Sequence, residues 1–161
     1  MGNIVVLVAA ASLVLGIQLG TRYWRTRRIK RWFQLGMDAY KEKRYEESLA
    51  GFRKCVRLAP EWLYARTLMG ISLAHTGHAE EALKEIEMVE ALQPREAETW
   101  TLIITFFLVC MPENESRLFE ALERLTTLDA AAARTFISQP VFARYSASPR
   151  LRALKQQLAV P

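Results

Sequence analysis

The sequence predicts an all-α chain: a single N-terminal transmembrane helix, a short α-solenoid, and a C-terminal capping segment. Three observations carry this reading. The first 24 residues hold an apolar run of membrane length, the chain beyond residue 31 repeats every 34 residues, and strand-type alternation is nearly absent.

Taken in order, residues 1–24 form the predicted anchor. Ile4 to Leu19 reads IVVLVAAASLVLGIQL, with Gln18 its only strongly polar side chain. Extension to Trp24 gives 21 residues, and a helix needs about 20 to cross a hydrocarbon core. Arg22 lies close enough to the end to snorkel, and Tyr23 and Trp24 fall where interfacial aromatics belong. A cleaved signal peptide would want a basic start, whereas residues 1–3 are Met-Gly-Asn. A myristoyl signal is disfavoured by Val6. Ser12, Gly16 and Gly20 are spaced by four, so small residues on one face can admit a second helix, of this chain or of another protein.

Residues 25–31 are the predicted juxtamembrane segment. Arg22, Arg25, Arg27, Arg28, Lys30 and Arg31 supply six of the chain's 22 basic residues, leaving 16 against 17 acidic ones. The overall charge of +5 is therefore local, which argues against a nucleic-acid-binding domain. Basic residues after the span and none before it predict a translocated N-terminus and a cytoplasmic C-terminal domain. The same side chains are placed to meet anionic lipid headgroups.

Residues 32–131 are predicted to be helical repeats. Gly36 and Gly70 are 34 apart, as are Phe52 and Ile86, Cys55 and Val89, and Pro60 and Pro94. The stretch WFQLGMDAYKEKRYEESLAGFRKCVRLAP resembles the tetratricopeptide repeat (TPR). Trp32, Leu35 and Gly36 match its opening, Tyr45 the aromatic at the turn, Phe52 the second-helix aromatic, and Pro60 the closing proline. The next unit keeps Gly70, Gly77, Ala82 and Pro94, with Arg66 where the tryptophan would stand. A third unit is degenerate. It has Trp100 in register and Ile104 at the glycine place, and its second helix, LFEALERLTTLDA, follows a one-residue insertion. The resemblance covers residues 29–131 and implies paired antiparallel helices. Small residues (Gly36, Ser48, Gly70, Ala82) would sit at the contacts and Gly77 in a tight turn. The apolar run from Trp100 to Met111 is too short to span a bilayer and reads as a buried spine.

Residues 132–161 are predicted to be capping helices and a tail, with Asp129 as an N-cap and Pro140 and Pro149 breaking the segment. From Arg134 onward this piece carries five basic residues and no acidic one, a solvated face or a second contact with lipid or an acidic partner.

No catalytic, cofactor-binding or metal grouping is expected, and an enzyme is not predicted. His75 and His78 lack the further ligands a metal needs, and no phosphate-binding loop or nucleophile elbow occurs. The pairs Glu46–Glu47 and Glu80–Glu81 favour helix N-termini. Cys55 and Cys110 read as core thiols. The resemblance implies protein or peptide partners on the first helices of each unit, through Met37, Tyr40, Lys41, Arg44, Arg66, Ser72, Thr101 and Thr105. The cations among these suit acidic side chains or a terminal carboxylate. Glu80–Glu98, with seven Glu against Lys84 and Arg95, forms an acidic stretch. The expectation is a single-pass, membrane-anchored cytoplasmic adaptor or scaffold. The alternative is a small constitutive subunit, structural or for assembly, of a larger membrane complex.

Overall fold

The computed structural model of the chain describes residues 24–159. The predicted span, with Ser12, Gly16, Gly20 and Arg22, lies outside the described residues, save for Trp24 at its end. Among the described residues no helix is long and apolar enough to cross a membrane. The described residues divide into two compact units, the first ending at Glu61 and the second beginning at Trp62.

The first unit is a helix pair. Helix α1 covers residues 24–41 and α2 Tyr45–Leu58. The basic residues 25–31, expected as a juxtamembrane segment, are helical and run without a break into residues 32–41. The two helices approach closely at paired glycines: a Cβ on Gly51 would lie 2.8 Å from Gly36 Cα, and one on Gly36 3.0 Å from the Phe52 ring. Phe52 and Cys55 are fully buried, and Phe33 stacks on Phe52 at a tilt, with centroids 5.8 Å apart. Lys54 Nζ sits 3.6 Å from the centroid of the Trp32 ring. At the far end of α2, Arg25 Nε donates to the Leu58 carbonyl at 2.8 Å, placing a cation against the negative end of the helix.

The second unit repeats this design. Helix α3 (Leu63–His75) pairs with α4 (Ala79–Ala91), and α5 (Ala97–Val109) packs on both α3 and α6 (Glu115–Leu128). Helix α7 (Ala130–Ile137) and helix α8 (Pro149–Gln157), joined through a 3₁₀ segment (Pro140–Tyr145), lie against α6 or continue from it. The turns of the first two pairs are copies. Arg44 N–H donates to Ala39 O at 2.8 Å and His78 N–H to Leu73 O at 2.9 Å, each 34 residues from its equivalent. Both turns need one left-handed residue, Gly77 at φ +84° and, one period earlier, Lys43 at φ +59°.

The degenerate third unit departs in a specific way. Helix α2 buries residues 48, 49, 51, 52 and 55, and α6 buries 118, 119, 121, 122 and 125. The offset is 70, two periods plus two, so the insertion is of two residues where one was expected. It sits in the turn, because five residues (110–114) separate α5 from α6 whereas three (76–78) separate α3 from α4. Both small-residue places are now large: Ile104 stands for Gly70, and Leu118 for Ala82. Ile103, Ile104, Phe106 and Phe107 are fully buried, which makes α5 the apolar spine of this unit. Asp129 caps α7, its Oδ1 accepting from Ala132 N–H at 2.9 Å.

Candidate interaction surfaces

The residues expected to meet a partner separate into three groups. In the first unit, Met37 and Tyr40 on α1 are half-buried and Lys41 is exposed. Tyr40 sets its edge on Tyr45, with centroids 5.8 Å apart. Arg44 is exposed but occupied: its Nε donates to Glu42 Oε2 at 2.8 Å, and it also pairs with Glu47.

In the second unit, two of the predicted contacts fail. Ser72 is fully buried, and its hydroxyl donates to Leu68 O at 2.9 Å, so it cannot reach a partner. Its period explains this, because 72 aligns with Phe106 and not with the solvent-facing places of α5. Arg66 is spent inside the unit. Its Nη1 donates to Glu85 Oε2 at 2.8 Å and contacts Met88 Sδ at 3.0 Å, with the side chain 14 % exposed. Of the three cations expected to meet acidic side chains or a terminal carboxylate, Lys41 and Arg44 are exposed and Arg66 is engaged inside its own unit.

Thr101 and Thr105 are half-buried on α5. Together with Glu98 and Val109 they form the solvent-side stripe of α5, at three- and four-residue spacing. Both hydroxyls donate within the helix, Thr101 to Ala97 O at 3.1 Å and Thr105 to Thr101 O at 2.8 Å. The stripe thus has no unmet donor, carries no cation, and ends in Val109, which is 60 % exposed. Val109 was not foreseen, although the 34-residue period carries Lys41 to His75 and then to Val109. His75 is partly buried, which depresses its pKa below the ordinary imidazole value.

The charged stretches are also less free than their composition suggests. In the acidic stretch, Glu85 holds Arg66, while Arg117 on α6 donates to Glu87 Oε1 at 2.8 Å and pairs with Glu90. Of the C-terminal basic residues, Arg134 donates to Leu158 O at 2.9 Å, Arg144 to Leu108 O at 2.7 Å, and Arg150 to Glu123 at 2.8 Å. Those three hold the capping segment in place, a role that neither reading of the basic tail included. Beside the exposed Glu80, Glu81, Lys84 and Glu87, the end of α4 presents two apolar side chains: Met88 and, just past the helix, Leu92, one turn apart, are 48 % and 60 % exposed. The thiols of Cys55 and Cys110 are pushed up to about 11 by burial, so neither is a ready nucleophile. Among the described residues no three His, Cys, Asp or Glu side chains are grouped to hold a metal.

Of the residues expected at lipid, Arg25, Arg27, Arg28, Lys30 and Arg31 are all exposed, with Arg25 also docked on α2 as described.

Comparison with known proteins fits this geometry. No curated protein matches the chain. The family described as Tetratricopeptide repeat matches residues 29–62, the span of the paired glycines, the Phe52 core and the first tight turn. The first helix pair is a tetratricopeptide repeat, and every regular element among the described residues is helical, a fold that suggests a protein-interaction adaptor or scaffold.

Proposed function

We propose that this protein is a membrane-anchored adaptor that holds a protein partner through its helical repeats. The observation that carries the reading is the tetratricopeptide repeat at residues 29–62, continued by helix pairs of like design. The docking surface in the second unit is the α5 stripe of Thr101, Thr105 and Val109, which suits an uncharged segment better than an acidic one. In the first unit Met37, Tyr40 and Lys41 offer a mixed surface. The anchor is the 21-residue apolar run, and the positive charge that follows it sets the repeats on the cytoplasmic face. Lipid headgroups are the partners of the exposed arginines, and the Ser12/Gly16/Gly20 face serves any helix association in the bilayer.

A second reading is favoured by one observation. The exposed Met88 and Leu92 suit a permanent contact, as in a constitutive subunit of a larger membrane complex. One experiment separates the two. The full chain is solubilised in mild detergent and affinity-purified, with mass spectrometry before and after a high-salt wash, alongside Thr101→Glu/Thr105→Glu and Met88→Ser/Leu92→Ser variants. The adaptor reading predicts a partner lost from the threonine variant. A partner of fixed stoichiometry lost only from the Met88/Leu92 variant supports the subunit reading, and loss from neither refutes both surfaces.

A further inference from the structure

The continuity of the basic segment with the repeat helix has a geometric consequence. On α1, Trp24, Arg27, Arg28, Arg31 and Leu35 fall within an arc of about 100° at 3.6 residues per turn. All five are exposed, Trp24 at 66 % and Leu35 at 48 %. No acidic residue occurs before Asp38, so this face is cationic and apolar from Trp24 to Leu35. Its composition, arginines bracketed by a tryptophan and a leucine, is that of a helix lying in a lipid interface.

Two orientations of α1 at a bilayer give different results. If the helix stood upright from an interface at Trp24, Arg31 would be about 10 Å out and Leu35 about 16 Å out, at a rise of about 1.5 Å per residue. The Debye length at physiological salt is about 8 Å, so Arg31 would be largely screened and Leu35 would stay in water. If the helix lies along the surface, all five side chains reach the headgroup layer together.

We propose that the Trp24–Arg27–Arg28–Arg31–Leu35 face of α1 docks lengthwise on an anionic bilayer, laying the first repeat against the membrane. The proposal deepens the membrane reading above and commits to lipid as the occupant on charge complementarity. The docking fixes the first helix pair as a surface-bound element and not a tethered one, because α1 is a single helix from residue 24 to residue 41.

The test uses the full chain in nanodiscs of phosphatidylcholine alone or with phosphatidylserine. A nitroxide is placed at Leu35→Cys, or at Glu46→Cys as a control on α2, in a Cys110→Ser background; Cys55 is fully buried. The expected result is that the label at 35 loses access to a water-soluble nickel chelate and gains access to oxygen only in anionic discs, with the label at 46 unchanged. Arg28→Gln/Arg31→Gln is expected to lower the docked-to-undocked ratio about 30-fold, at roughly five-fold per basic residue. A label at 35 that stays in water in both discs overturns the proposal, as does one buried irrespective of lipid charge. An acidic protein as the true occupant would give the first of these outcomes, since the discs contain none. Resistance to alkaline carbonate reports the anchor separately. A chain that resists carbonate with a water-exposed label keeps the anchor and loses the proposal, and a chain that washes off yet shows the lipid-charge response does the reverse.

Discussion

Gly51→Ala puts two opposing terms on one atom. In an isolated helix, alanine in place of glycine is favourable by about 1 kcal/mol. In this protein the added methyl would lie 2.8 Å from Gly36 Cα, 2.9 Å from Gly36 N and 3.1 Å from Trp32 O. Ordinary carbon contacts sit at about 3.5–4.0 Å, so the overlap is at least about 0.7 Å. All three neighbours are backbone, and no rotamer change relieves them; α1 must move off α2 along the contact that buries Phe52. Overpacking of this kind costs about 1–3 kcal/mol, at the upper end when backbone must shift. The net expectation is a loss of about 1–2 kcal/mol, read as a lower urea midpoint by circular dichroism and by tryptophan fluorescence. Gly70→Ala is the control. There the new methyl meets the end of a flexible side chain, Ile86 Cδ1 at 3.1 Å, so propensity and packing offset each other to within about 1 kcal/mol. If Gly51→Ala proves as stable as the parent, the close glycine crossing is not what sets the spacing of this pair.

Other perturbations test separate parts of the structure. Lys43→Gly places glycine at φ +59°, where lysine is strained, and is expected to raise stability by about 0.5–1 kcal/mol in the same titration. Asp129→Ala removes the side-chain cap of α7 and is expected to cost about 1 kcal/mol, with faster amide exchange at Ala132. Glu90 supplies a pH dependence. Burial, opposed by the Arg117 guanidinium, raises its carboxyl above the ordinary glutamate value. Between the unfolded and folded values the native state binds the extra proton, so stability falls as pH rises through that window. Urea midpoints taken from mildly acidic to neutral pH are expected to show this decline in the parent and a shallower one in Glu90→Gln.

The repeat units were legible because packing leaves a periodic trace: Gly36 and Gly70, Phe52 and Ile86, and Cys55 and Val89 hold equivalent buried places. Gly51 leaves no periodic trace because its period partner is Glu85, so its role appears only when α1 is laid beside it. The two-residue insertion before α6 reads as one residue in the sequence because leucines hold three of the five buried places of that helix, and Leu118, Leu122 and Leu125 align with several registers. Exposure was the weakest inference. Ser72 is polar yet interior because serine satisfies its own hydroxyl on the helix backbone, which removes the cost of burial. Arg44 and Arg66 read as free cations because their glutamate partners come from turn and helix packing; Glu85 is 19 residues from Arg66. Val109 was missed for the opposite reason, an apolar residue in an apolar run that happens to face water.

Photocrosslinking tests the central claim most directly. A photoreactive amino acid is placed at Thr105 of the full chain, or at the exposed Ala131 as a control, and native membranes are irradiated and probed for adducts. The account predicts a discrete protein adduct from position 105, resistant to competition by lipid and absent from position 131. No protein adduct at 105, or equal adducts at both positions, would contradict a partner held on the α5 stripe.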